Sequence, residues 1–293
     1  MDESWPIAVF AYNEGENIIR ALDSLIAASD GHPIRPVVLA NGCTDDTEDK
    51  AVEYAASHPY VQVLSIARGD KANAWNVFIH DVVSTGEPVF FMDGDVEVLP
   101  GALVALAETL ANAPNANAVT ALPASGRSRQ QTWDHFASGA PGLQGTLYAL
   151  RGTFVRRLRA MGVRMPVGYM CDDDLICSLA LSDLDPPQGW KHDRVAVAWD
   201  QRARFCFRPF SPLSPRDLHK HWRRVRRNSL RRYHAKMLGP LLKNRGLAAM
   251  PRHVDELYKY DNLCRLEWRG FATLTDWLAL RHIRAGRRLV DQS

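Results

Sequence analysis

The first hundred residues alternate short apolar runs with longer helix-like segments, and this rhythm constrains the chain more than any other feature. Such alternation requires a mostly parallel sheet covered by helices on both faces. Strands are predicted over residues 6–10, 36–40, 61–66 and 88–92, with helices over 14–28, 44–57 and 70–83 between them. Thr44 stands where a cap for the second helix is expected. Asp93 then falls at a strand's carboxyl end, where open α/β sheets place their ligands.

Further on, a helix is predicted over 100–111 with Pro100 in its first turn, then a strand over 119–121. Residues 123–145 read as a long Gly, Ser and Pro-rich loop, followed by an extended segment at 146–150 and helices over 153–160 and 173–181. Residues 194–199 and 202–207 read as paired strands. Pro209, Pro212 and Pro215 make a stiff connector to a mainly helical end.

Charge divides the chain at the same place. Residues 1–200 hold 14 Lys or Arg against 26 Asp or Glu, and residues 201–293 hold 22 against 7, so the halves carry −12 and +15. A basic end of this kind wants an anionic partner: a ligand diphosphate, an anionic membrane surface or nucleic acid. The arginines come without zinc-finger spacing or interleaved aromatic signatures, which argues against nucleic acid. The acidic start at Asp2 and Glu3, and the lack of eighteen consecutive apolar residues, point away from a signal peptide or a spanning helix. Five cysteines without repeated close spacing suggest neither a disulfide framework nor a cysteine zinc site. A cytoplasmic protein is expected, with peripheral attachment to the inner face of the membrane as an option.

Three clusters carry chemistry. Asp93-Gly94-Asp95 ends an apolar strand, and two carboxylates flanking a glycine can share a divalent cation while a phosphate approaches closely. An exposed acidic turn is the plainer reading. Asp172-Asp173-Asp174 opens a predicted helix, and the mutual repulsion of three acids can raise the proton affinity of one of them, as a general base requires. An ordinary helix start would look the same. The third cluster, residues 216–232, holds His219, His221, Arg223, Arg224, Arg226 and Arg227, and guanidinium pairs suit phosphate oxygens. His219 or His221 offers a further metal ligand. Asn41 could read a base edge, and Lys71 and Asn76 could approach a nucleotide. Near the end Trp268, Phe271, Leu274, Trp277, Leu278 and Leu280 mix with arginines, as in an interfacial amphipathic element or a helix packed on the catalytic domain.

Taken in order, these motifs resemble glycosyltransferase family 2. Ala11-Tyr12-Asn13-Glu14 is similar to that family's opening after strand one, with Ala11 where proline is usual. Asn41-Gly42-Cys43-Thr44-Asp45-Asp46-Thr47 is similar to its second signature, with Asn41 in place of an acid. Gly69-Asp70-Lys71-Ala72-Asn73-Ala74-Trp75-Asn76 resembles the family's glycine, lysine, alanine and asparagine segment, with Asp70 inserted. Asp93-Gly94-Asp95 fits the DxD motif, Gly145 to Arg151 the segment behind the acceptor, and Asp173-Asp174 the usual glutamate-aspartate pair.

The resemblance implies a GT-A fold over residues 1–208, with a nucleotide-binding half to about 95, an acceptor half over 96–208 and a basic, mainly helical extension over 209–293. It implies inverting transfer of a hexosyl or N-acetylhexosaminyl group from a nucleotide sugar, UDP-linked first and GDP-linked second, to a hydroxyl acceptor. That acceptor is a saccharide or lipid-linked saccharide in polysaccharide or glycolipid synthesis. Mn2+ or Mg2+ would sit on Asp95 and Asp93. Ala11, Asn13, Glu14, Asn41, Lys71, Asp93, Gly94, Arg223 and Arg226 would hold the donor; Gly145, Tyr148 and Asp172 the acceptor; and Asp174, with Asp173, would be catalytic. The alternatives are a sugar-phosphate nucleotidyltransferase and a non-catalytic nucleotide-sugar or carbohydrate-binding scaffold.

Overall fold

The structure, a computed structural model, describes residues 4–83, 88–208 and 215–290, without side chains at 215–221 and 288–290. The Pro209 and Pro212 connector and the His219 and His221 side chains lie outside the described residues. The chain runs β1 (Trp5–Ala11), α1 (Ile18–Ala28), β2 (Ile34–Asn41), α2 (Thr47–Ser57), β3 (Gln62–Ile66), α3 (Lys71–Val77), β4 (Val89–Asp93), β5 (Val96–Val98) and α4 (Ala102–Ala111). It continues through β6 (Ala118–Thr120), β7 (Leu122–Pro123), α5 (Arg129–Ala137), β8 (Leu147–Leu150), α6 (Gly152–Ala160) and α7 (Asp172–Leu181). β9 (Val195–Val197), β10 (Arg204–Phe207), α8 (Pro215–Arg245) and α9 (Ala272–Val290) complete it, with wide 3-10 turns between the last two helices.

Seven strands form the main sheet in the order β3-β2-β1-β4-β8-β6-β9, and β8 alone runs antiparallel to both its neighbours. A small sheet, β5-β10-β7, lies beside it. The fold is therefore a GT-A-like α/β architecture of mixed but mostly parallel strands. Strand order reverses between β1 and β4, so their carboxyl ends open a crevice at a topological switch point.

Alternation along β1 builds the two core layers. Ile7 and Val9 pack with Leu22, Leu25 and Leu106 on one face, whereas Ala8 and Phe10 pack with Trp75, Phe78 and Phe91 on the other. The second layer also takes in Tyr233, Met237, Leu242, Tyr258 and Ile283 from the basic end. The boundary near residue 208 is thus a change of composition, and the core runs through it.

Several expectations are corrected. α1 begins at Ile18 rather than at Glu14, because Asn13 turns with φ 56°. Thr44 does not cap α2: its N–H donates to Asn13 Oδ1, and Asp45 instead accepts from the Thr47 N–H. The helix predicted over 100–111 starts at Ala102, since Gly101 adopts φ 73°. The loop predicted over 123–145 contains α5, a polar helix that buries only Phe136. β9 and β10 do not pair; β9 joins β6 in the main sheet and β10 joins β5 and β7. The buried Arg204 guanidinium, which donates to the Ala198, Trp199 and Ala203 carbonyls, holds the chain between them.

Candidate active site

Four loops meet at the carboxyl ends of the parallel strands, and short polar side chains stitch them together. Asn13 Oδ1 accepts from the Thr44 N–H at 2.8 Å, and the Glu14 N–H donates to Thr47 Oγ1 at 2.7 Å, tying the loop after β1 to the start of α2. Gly42, with φ 66°, lies so near Gly69 that a Cβ there would come within 2.4 Å of the Gly69 nitrogen. Asn41 is buried, and its Oδ1 accepts from the Asp70 N–H at 2.8 Å. Its acceptor atom thus faces the loop before α3. Asp70 in turn caps α3 through the Ala72 and Asn73 N–H groups and also accepts from the Gly168 N–H.

Lys71, at the start of α3, draws distant segments together. Its Nζ lies 2.7 Å from Asp93 Oδ1, 3.3 Å from Asp172 Oδ2 and 3.2 Å from the Gly145 carbonyl oxygen. Burial disfavours its charge, but Asp172 and then Asp93 outweigh burial and hold the ammonium above its ordinary range. Lys71 therefore joins the acids of β4 to those of α7. Gly145 has to be glycine, since a Cβ would meet the Asp173 Cβ at 2.6 Å.

Burial pushes the Asp93 carboxyl up; Lys71 opposes this, while Asp95 and Asp172 add to it. Asp95 is exposed beside it, and Gly94 lies tightly against the Phe10 and Ala11 backbone. At the start of α7, Asp173 is likewise pushed up by burial and by Asp172, against the pull of Arg231. Arg231, from α8, donates to Asp173 Oδ1 at 2.6 Å and lies 3.7 Å from Asp174 Oδ2. Cys171 Sγ donates to Asp174 Oδ2 at 2.6 Å, and burial followed by the Asp174 charge keeps this thiol protonated. One turn along α8, His234 Nδ1 accepts from the Met170 N–H at 3.3 Å.

Two groups of side chains could hold an ion. Ligand atoms of Cys171, Asp173 and Asp174 lie within 4.8 Å of one another. A protonated thiol and the Arg231 guanidinium occupy that group, and sulfur suits Mn2+ or Mg2+ poorly. Asp93 and Asp95 offer only hard oxygen donors, within a set of five carboxylates (Asp93, Asp95, Asp172, Asp173 and Asp174) that Lys71 and Arg231 leave short of positive charge. This donor set fits a hard divalent cation.

Of the other expected residues, Ala11 and Tyr148 are buried, and Tyr148 stacks on Phe91 with ring centroids 4.7 Å apart. Tyr148 is thus a core residue with no face for an acceptor. Asp172 is spent on Lys71. The Arg223 guanidinium sits 5.1 Å from the Tyr12 ring centroid, bringing the basic helix back over the loop after β1, and Arg226 is exposed. Sequence reasoning missed Cys171 and Arg231: a single buried cysteine carries no motif, and nothing separates Arg231 from its arginine neighbours until α8 is folded against α7. A cavity of about 550 Å³ lined by Arg157, Asp183 and Lys191 lies at the other end of α7, away from these acids.

Known proteins share sequence or fold with this chain. The chain is 33% identical over 89 residues to the uncharacterized glycosyltransferase YibD of Escherichia coli strain K12, covering 30% of this chain and 25% of that protein. It thus spans about a quarter of that relative's length. A mannosyltransferase from Pyrobaculum calidifontis, solved with GDP-Man and Mn2+, superposes with a TM-score of 0.55 at 20% identity over 99% of this chain and 81% of its own. Glucosyl-3-phosphoglycerate synthase from Mycobacterium tuberculosis, solved with Mn2+, UDP and glucosyl-3-phosphoglycerate, gives 0.51 at 20% identity over 78% and 80%. The family model for glycosyl transferase family 2 matches residues 7–171, more than half of the chain and every loop of the crevice, and the protein belongs to that family.

Proposed function

We propose that the protein transfers one sugar at a time, with inversion, from a UDP- or GDP-linked donor to a hydroxyl of a saccharide or lipid-linked saccharide, using Mn2+ or Mg2+. The observation that carries the assignment of the base is a contrast in exposure. The Asp174 side chain is 67% exposed, whereas Asp173 is 19% exposed and locked to Arg231. Asp174 can therefore meet an acceptor, with one oxygen fixed by the Cys171 thiol and the other open to take the hydroxyl proton. Asp173 and Arg231 position it; Lys71 holds the start of α7 against β4.

Asp93 and Asp95 would hold the cation, which when bound supplies positive charge against the departing diphosphate. The loop of Asn13 and Glu14, with Gly94 at its side, gives the donor a close backbone approach, and Arg223 above Tyr12 adds a cation at the rim. The net charge of +15 over residues 201–293 supports work at an anionic membrane face in the cytoplasm, in polysaccharide or glycolipid synthesis.

The test is a metal-dependent binding and hydrolysis screen across UDP-, GDP-, dTDP- and CMP-linked sugars. One donor should bind selectively with metal present and hydrolyse slowly; well-folded protein that binds none of them overturns the reading.

A further inference from the structure

The turn leading into α9 carries the most exposed large apolar side chains among the described residues. Phe271 is 102% exposed and Trp268 86%, with Leu266, Leu274 and Trp277 each near half. Burying such rings is strongly favourable, so leaving them in water calls for an explanation. The arrangement is built, not frayed. Gly270 turns with φ 59°, the Arg269 N–H donates to Thr273 Oγ1 at 2.7 Å, and the Arg269 guanidinium reaches buried Asp276 at 3.2 Å. Ser229 Oγ of α8 donates to Thr275 Oγ1 at 2.9 Å beneath it.

α9 is split lengthwise. Thr275, Asp276, Ala279, Leu280 and Ile283 face the core, while Leu274, Trp277, Arg281 and Arg284 share the outer stripe. Arg265 and Arg269 flank the aromatic tip and are exposed. Nearby acids offset part of this charge, since Asp276 pairs with Arg232 and Arg269 and Asp261 with Arg287 and, at 4.0 Å, Arg284, while Glu267 is taken by Arg232 and Lys236. Among the described residues Arg265 and Arg281 have no acidic partner.

We infer that Trp268, Phe271, Leu274 and Trp277, rimmed by Arg265, Arg269, Arg281 and Arg284, form a docking surface for an anionic lipid bilayer. Aromatic side chains enter the headgroup boundary and the arginines meet phosphate, which is the division of labour of an interfacial element. No helix among the described residues is long and apolar enough to cross a membrane, so this contact is peripheral. A second copy fits less well, because apposing the same face sets arginine against arginine. The surface is linked to the acids through α8, where Arg231 holds Asp173 and the next residue, Arg232, holds Asp276 under the tip. Docking therefore brings the crevice to a lipid-linked acceptor. That last step rests on the transferase reading; lipid binding does not.

Sedimentation with vesicles tests it, using the full chain with phosphatidylcholine alone and with phosphatidylglycerol added. The protein should pellet with the anionic vesicles, less so in high salt, and stay in solution with the neutral ones. Trp268→Ala/Phe271→Ala should weaken partitioning about tenfold or more, and Arg265→Glu/Arg281→Glu should abolish the preference for anionic lipid. All four side chains are exposed, so circular dichroism and turnover on a soluble acceptor should be unchanged. Failure of the wild-type chain to bind anionic vesicles, or equal binding by the aromatic variant, overturns the inference. So does concentration-dependent dimerisation, lost in that variant, without vesicle binding; it would assign the face to a second copy.

Discussion

The acids at the end of β4 and those at the start of α7 are joined by one lysine, yet they are held in place by different means. Around Asp93 and Asp95, most of the loop supports come from the first hundred residues: Asn13 on Thr44, Asn41 on Asp70, Gly42 against Gly69. Around Asp173 and Asp174 the supports come from afar, with Arg231 and His234 reaching in from α8. The donor side takes only Arg223 at its rim from the basic extension, whereas the base side is held by it through Arg231 and His234. Loss of the Arg231 and His234 contacts should therefore damage transfer while sparing donor binding.

The largest effect should come from the acids themselves. Asp174→Asn should lower kcat by about a thousandfold and leave metal-dependent donor binding intact, as removal of a general base does. Asp95→Ala should instead abolish metal-dependent donor binding. Calorimetry with the donor and single-turnover assays separate the two. Normal transfer by Asp174→Asn would sink its role as base.

Arg231 comes next, because the comparison stands on it. Arg231→Ala leaves the half-buried Asp173 carboxylate without its partner, at a cost of about 3 kcal/mol in unfolding free energy. A base displaced by an ångström loses about a hundredfold in kcat. The donor KM should hold, and Arg231→Lys should restore part of kcat. A matching change on the donor side, Lys50→Ala, removes an exposed pair with Asp46 and should shift stability by less than about 1 kcal/mol. If Arg231→Ala raises the donor KM and leaves kcat unchanged, the division between the two sides fails.

The same division governs what could be read from sequence. The parallel strands and Asp93 at a strand end were legible, because apolar runs of strand length and an acidic turn are local signals. Motif position does not say which way a side chain points: Asn41 Oδ1 closes a loop and Tyr148 stacks on Phe91. α5 was missed because it has no apolar stripe and buries only Phe136. β9 and β10 look like a hairpin only until Arg204 is buried between them. Arg231 carries no local signal at all; its partner lies 58 residues away.

His234 gives a smaller effect that depends on pH. Burial, with His282 adding to it, lowers its pKa from 6.5 to about 4. The unfolded chain therefore takes up a proton below pH 6.5 that the folded chain refuses until about pH 4, and stability falls as pH drops through that window. At pH 5.5 the loss should be about 1 kcal/mol relative to neutral pH. His234→Gln, which keeps an acceptor for the Met170 N–H but does not titrate, should flatten the slope in denaturant unfolding run from pH 7 to 5. An unchanged slope would mean that His234 is not buried as a neutral ring, and that α8 sits more loosely on the base side than on the core.

The smallest expected effect tests how finely the base is set. Cys171 donates its proton to Asp174 Oδ2, which fixes the rotation of the carboxylate about its bond to the helix. One hydrogen bond to a charged group contributes about 1.5 kcal/mol, so Cys171→Ala should lower kcat about tenfold. Cys171→Ser retains a donor at the same place and should stay within about threefold of wild type. Neither should change donor affinity, because the Cys171 thiol hydrogen-bonds to Asp174 rather than to an acid of β4. If Ala and Ser behave alike, the thiol only fills space and Asp174 is oriented by Arg231; if both raise the donor KM, the acids of β4 and α7 form one unit and the contrast between them is lost.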